Sequence, residues 1–271
     1  MSLIGEWGMP VIDDAGYARL LEESKVFSEA QELLQVRLAQ DFLNLWAAMP
    51  DVEHARQVRY LTEALADLQL VYGQDAAALA AEYLTVIRQG ADLPVVLAEP
   101  ATVGRVGGST RWAMSNPEAQ SLLFGAMQRM ALEPYRETIR LSAFEAGNGF
   151  ARVPEPGACG FCLMLASRGA VYYSADEALQ AGRARWSKSN RRDRSYHDNC
   201  KCTVTEVTRN SGVSEANVLL EKLWGETFYH DPETRLKPKN KQQSPAWMQA
   251  QWEAMIKETD LPWMSAKPIT R

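Results

Sequence analysis

Cys159-Gly-Phe-Cys162, a long insertion, and then His197-Asp-Asn-Cys200-Lys-Cys202 together hold all four cysteines of this 271-residue chain and one of its three histidines. Two cysteines separated by two residues share one turn, so both sulfurs can reach a single ion, the way tetrahedral zinc sites collect half their ligands. The second cluster adds His197 and Cys200 at turn spacing. Cys200 and Cys202 share one face where the chain is extended, because side chains alternate along a strand. Cys159, Cys162, His197, Cys200 and Cys202 are thus five donors for the four places of a closed, structural zinc site, without the open position a catalytic ion keeps for water.

Ordinary buried thiols and a pair of disulfides are the alternatives, since free cysteine is among the most buried residue types. A redox dithiol is disfavoured, because such a motif opens a helix inside a βαβ unit, whereas glycine and aromatic residues surround this one. Gly157 and Gly160 let backbone fold tightly around sulfur. That composition predicts a metal knuckle.

The run Pro156-Gly-Ala-Cys-Gly-Phe-Cys-Leu-Met-Leu-Ala-Ser-Arg-Gly-Ala-Val-Tyr172, followed by Tyr196-His-Asp-Asn-Cys-Lys-Cys202, resembles the minor capsid proteins of tailed bacteriophages related to the F protein of phage Mu, particularly those of phages of actinobacteria. The dense similarity is confined to this stretch, and the region before it is similar only in its helical character. The resemblance implies a head-morphogenesis protein in the phage head interior, near the portal or the inner capsid. Its partners would be the portal protein, the major capsid protein or both.

The apolar fraction of 46% suffices for a packed core, and 271 residues fit one large domain or two ordinary ones. A formal net charge of −5 excludes a strongly basic nucleic-acid coat, so any contact with DNA has to be local. Residues 1–16 place no cationic stretch ahead of an apolar run, and no apolar run is long enough for a bilayer. The expectation is a product made in the host cytoplasm with reduced thiols and no membrane partner.

Helical periodicity dominates before the cysteines. Ser28 stands as an N-cap with Gln31 at capping-box spacing, and Leu34, Leu38, Phe42, Leu45 and Trp46 form the stripe of a helix ending near Met49-Pro50. Asp51 is read as the cap of a second helix, with Val58, Leu61, Leu65, Leu68 and Val71 inward and Gly73 closing it. Asp75 then caps a third with Leu79, Tyr83 and Val86 or Ile87 inward, ending at Gly90. Gly104-Arg-Val-Gly-Gly-Ser-Thr110 lacks the ending of a phosphate loop and reads as a flexible connector. Asn116-Pro117 opens the next helix, bearing Leu122, Leu123, Met127 and Met130. Pro134 kinks it or starts another, with Ile139, Leu141 and Phe144 inward and Gly147 at the end.

Beyond the first cysteine pair, Ala170–Tyr173 and Thr203–Val207 have strand composition, with a helix between them from Ser174. The insertion carries Arg183, Arg185, Lys188, Arg191, Arg192 and Arg194 with Trp186 and Tyr196 interleaved. These cations are either a phosphate-contacting loop for DNA or a solvated surface loop. Ser214 caps a helix with Val218, Leu219, Leu220, Leu223 and Trp224, a polar linker covers 231–243, and Ser244-Pro245 restarts a helix with Trp247, Trp252 and Met255 or Ile256. Aromatics behind a linker, Trp263 among them, suggest an anchor into a groove of this body or of another subunit. A chain ending at Thr234 is then expected to stay folded and lose its attachment.

The predicted fold class is mainly α: an N-terminal helical domain over 1–150, a small metal-stabilised α/β unit over 151–209, and a helical tail with a polar linker over 210–271. The motifs of zinc deaminases and zinc proteases are absent. The resemblance then implies a non-enzymatic structural protein of the phage head. The alternative is a metal-supported nuclease or hydrolase using His197 or His230 as general base.

Overall fold

The computed structural model describes residues 14–88, 91–154, 160–167, 202–207, 215–228, 254 and 256. They form a mainly helical protein with one two-stranded sheet. The chain divides into two compact units; among the described residues, one comprises the helices up to Ala146 and the other the residues from Gly147 onward.

The helical unit comprises α1 (Asp14–Ala47), α2 (His54–Ile87), α3 (Val103–Met114) and α4 (Ala119–Glu145). Phe27 meets Tyr83 edge to face with centroids 5.2 Å apart, while Asp41 accepts a 2.6 Å hydrogen bond from the Tyr72 hydroxyl. Early residues of α1 thus meet late residues of α2, as the short connection between them requires. Gln69 donates to the Met127 carbonyl and Arg88 to that of Ser142, so α2 and α4 run in the same direction. Phe42, Leu61, Leu65, Val106, Leu123 and Met127 belong to one buried cluster drawn from all four helices. Each such side chain contributes roughly 1.5–3 kcal/mol on leaving water.

Several sequence expectations are corrected here. Ser28 is no N-cap, because α1 begins at Asp14. The two helices read at 51–73 and 75–90 are the single helix α2, whose buried stripe passes from Leu61 and Leu65 through Gln69, Tyr72 and Ala76 to Tyr83 and Ile87. Gly73 lies inside it as a point of close approach: a Cβ there would stand 2.8 Å from the Pro100 Cβ. Val71 and Phe144, both assigned inward, are exposed.

Pro100 belongs to an extended segment, 91–102, that runs back along α4. The segment has no ladder partner, so polar side chains fasten it. Val96 N–H donates to Ser142 Oγ and Ala98 N–H to Thr138 Oγ1, both at 2.9 Å, one turn apart on α4. Arg88, at the end of α2, donates to the Leu93 and Pro94 carbonyls.

The supposed connector at Gly104–Thr110 is part of α3. Thr102 caps it, accepting from the Arg105 amide, and Val106, Gly107, Thr110 and Ala113 are buried. Burial of that face outweighs a glycine penalty of about 1 kcal/mol per residue. Arg105 fastens the outer side through both terminal guanidinium nitrogens, Nη1 and Nη2, to Glu133, at 3.1 and 2.7 Å. Asn116 does not open α4; its amide donates to the Trp112 carbonyl at the end of α3, and α4 starts at Ala119. Pro134 starts no second helix, since α4 continues through it to Glu145. Gly147 with φ +67° ends it as expected.

The second unit comprises β1 (Gly149–Val153), α5 (Gly160–Ala166), β2 (Thr203–Val207) and α6 (Glu215–Phe228). β2 spans the residues expected; β1, its antiparallel partner, was not anticipated. The strand read at Ala170–Tyr173, the helix from Ser174, the Ser214 cap and the linker at 231–243 lie outside the described residues. Among the described residues no helix is long and apolar enough to cross a membrane.

Gly73→Ala should lower stability by about 1–3 kcal/mol although alanine is the better helix former, because overpacking against Pro100 exceeds the propensity gain. Gly108→Ala, with nothing within 4 Å of the added carbon, should raise it by about 0.5–1 kcal/mol. Chemical denaturation of both variants checks the two signs.

Burial, reinforced by the bond to Asp41, pushes the Tyr72 phenol up from 10.0 to about 12. A neutral group whose folded pKa is raised contributes stability that is complete below its unfolded value and lost as pH climbs toward the folded one. Stability should therefore fall between pH 10 and 12 by more in the native protein than in Tyr72→Phe.

Candidate functional site

Cys162 and Cys202 are the two donors of the cysteine-histidine constellation that fall among the described residues, and both are buried. Cys162 lies in α5, so the first cysteine pair does reach into a helix, contrary to the reading used against a redox role; the sheet beside it is antiparallel, not a βαβ unit. Cys159, His197 and Cys200 lie outside the described residues, as do Arg183, Arg185, Lys188, Arg191, Arg192 and Arg194. Among the described residues alone, no three His, Cys, Asp or Glu side chains group as a metal site.

The ladder explains how the two cysteines relate. Arg152 pairs with Val204 and Phe150 with Glu206, and directly opposed residues of an antiparallel pair point to the same face. Cys202 immediately precedes β2 and, by strand alternation, continues the face of Val204 and Glu206. From that face the buried Arg152 guanidinium reaches Cys162 Sγ, its Nη1 at 3.7 Å. A cationic N–H donor beside a sulfur is the outer-shell contact that orients thiolate ligands and offsets the negative charge they bring to a metal. A buried thiol facing a guanidinium is thus set in surroundings that favour its thiolate form.

Two further residues build the site, and neither was singled out in the sequence. Asn217, fully buried on α6, uses its side-chain nitrogen to donate to the Arg152 carbonyl at 2.8 Å and the Ala166 carbonyl at 2.7 Å. One amide thereby ties the end of α5, the strand that carries Arg152, and α6. Glu206 is buried and accepts from the Asn148 side chain at 2.8 Å. Their signals were present: Asn217 interrupts an apolar stripe at the spacing of Leu220 and Trp224, and Arg152 and Glu206 are charges inside strand-like runs.

The apolar support of the site is a cluster of Leu163, Ala166, Leu220, Leu223 and Ile256. Ile256 comes from the terminal segment read as an anchor into a groove of this body or of another subunit, and at this residue it packs on its own body. A chain ending at Thr234 would lose that contact. Trp247, Trp252 and Trp263 lie outside the described residues.

Asn217→Ala should cost about 2–4 kcal/mol, since two buried carbonyls lose a donor. Asn217→Asp, similar in shape but without the amide hydrogens, should fall at least as far. Thermal melts of both variants test this.

A family model described as VG15 protein matches residues 21–222, which spans most of the chain and reaches into both units. No curated protein and no solved structure matches.

Proposed function

The chain belongs to the VG15 protein family, a family of phage proteins, and from that premise we propose that it is a minor capsid, head-morphogenesis protein of a tailed bacteriophage. In this reading it resides in the virion, attached to the portal or the inner capsid, and acts as a structural part without catalysis. The observation that carries the proposal is the family match over 21–222, which runs through the stretch at 156–202 that resembles phage minor capsid proteins of the Mu F type.

A structural zinc ion belongs to the same proposal. Cys162 and Cys202 would supply sulfur, with two of Cys159, His197 and Cys200 completing the four ligands, and the ion would hold the long insertion to the ladder. Support comes from the buried Cys162 thiol with the Arg152 guanidinium against it. The cations from Arg183 to Arg194 would touch DNA phosphates without reading sequence.

Mass spectrometry of purified virions tests the central claim: the chain should be present at a fixed ratio to the portal protein. Its absence from virions would overturn the reading, as would metal-dependent cleavage of DNA by the purified protein, which is the alternative expected of a nuclease.

Elemental analysis of protein purified without added metal should give about one zinc per chain. Cys162→Ser should lose the ion and open the second unit to protease while the helical unit stays resistant, because metal-binding energy in small sites is largely folding energy. Charge reversal at Arg191 and Arg192 should weaken DNA binding and flatten its salt dependence.

A further inference from the structure

The helix α1 is apolar on two opposite sides. Phe27, Leu34, Leu38 and Phe42 are buried in the helical unit, whereas Val26, Leu33, Val36 and Leu43 are between 48% and 60% exposed. At about 100° per residue these four fall within an arc of about 100° facing away from the buried stripe. Val26 to Leu33 and Val36 to Leu43 are each one heptad, and Leu33 to Val36 is the short step, the a and d spacing of a helix that packs on another helix. Solvated helix faces have no reason to keep that register, and exposed apolar groups arranged in one stripe mark an interaction surface.

We propose that this face pairs with the same face of a second copy of the chain, the two α1 helices lying antiparallel. The residues between the apolar ones decide both the occupant and the direction. A two-fold axis between Leu33 and Val36 sets Val26 against Leu43 of the second copy, Leu33 against Val36 of the second copy, and Glu29 against Gln40 of the second copy. Every apolar side chain then meets an apolar one, and a carboxylate meets an amide donor, twice over by symmetry. The Gln40 side-chain nitrogen already gives one hydrogen to Asn44 Oδ1 at 3.1 Å and carries a second for Glu29 of the second copy. A parallel pair would instead stack Glu29 on Glu29 of the second copy, two carboxylates with no cation in the seam. Four large side chains per copy make an interface below the size of a standard stable complex, so the dimer forms in a concentration-dependent way.

Sedimentation equilibrium of the full chain from about 1 µM to about 1 mM should show monomer passing to dimer. Leu33→Glu should abolish the dimer with unchanged circular dichroism and melting temperature, while Val71→Glu, at an exposed apolar position of α2, should leave it intact. Gln40→Glu sets carboxylate against carboxylate in the antiparallel pair and should weaken association about tenfold or more; adding Glu29→Lys should restore it. A monomer throughout the range overturns the proposal. So does a Leu33→Glu variant that melts early at unchanged mass, which would mean that the chain's own segment covers the face. Failure of Glu29→Lys to rescue Gln40→Glu overturns the antiparallel pairing.

Discussion

A two-stranded antiparallel ladder is not stable by itself in water, and among the described residues the second unit has one such ladder and no further strand. What fastens it is the buried Asn217 amide, which joins the Arg152 carbonyl of β1 to the Ala166 carbonyl at the end of α5. An amide is suited to this because its nitrogen carries two hydrogens at a fixed angle. The apolar cluster of Leu163, Leu220 and Ile256 supplies area, but area is not directional. Hydrogen bonds from Asn217 set where α6 sits along the strand, and through β1 they set where the Arg152 guanidinium meets Cys162.

The helical unit solves a different problem with similar means. Its extended segment 91–102 would leave amides unsatisfied if it lay on a bare helix. Thr138 and Ser142, one turn apart on α4, present hydroxyl oxygens at the spacing of alternate amides, and Arg88 takes the carbonyls at the segment's start. Gly73 then lets Pro100 press directly onto α2. Polar side chains and one missing Cβ therefore route the chain from the top of α2 to the start of α3.

Function divides along the same lines. The family match states that this is a phage protein and covers both units, while the chemistry proposed for it is concentrated in the second. The helical unit offers no comparable cluster of donors among its described residues, and its distinctive feature is the doubly apolar α1. A metal-pinned unit and a self-pairing helix would give one chain a rigid module and a means of assembling.

The sequence by itself determined the helical character of the first half, the β2 strand, the end of α4 at Gly147 and the burial of Leu61, Leu65, Leu123, Met127 and Ile139, because side-chain periodicity is a local property. It also brought the cysteines forward as the residues with chemistry to explain. Tertiary structure alone decided the rest. Gly73 reads as a helix stop until Pro100 is known to press on it, and Gly104–Thr110 reads as a connector until its Val106, Thr110 and Ala113 face is buried by other helices. Ser28 looks like a cap only while the turns before it are unknown. Arg152 and Asn217 gain their roles from residues 10 and 51 positions away, and no local pattern encodes a contact at that separation: it exists only once the chain has folded back on itself.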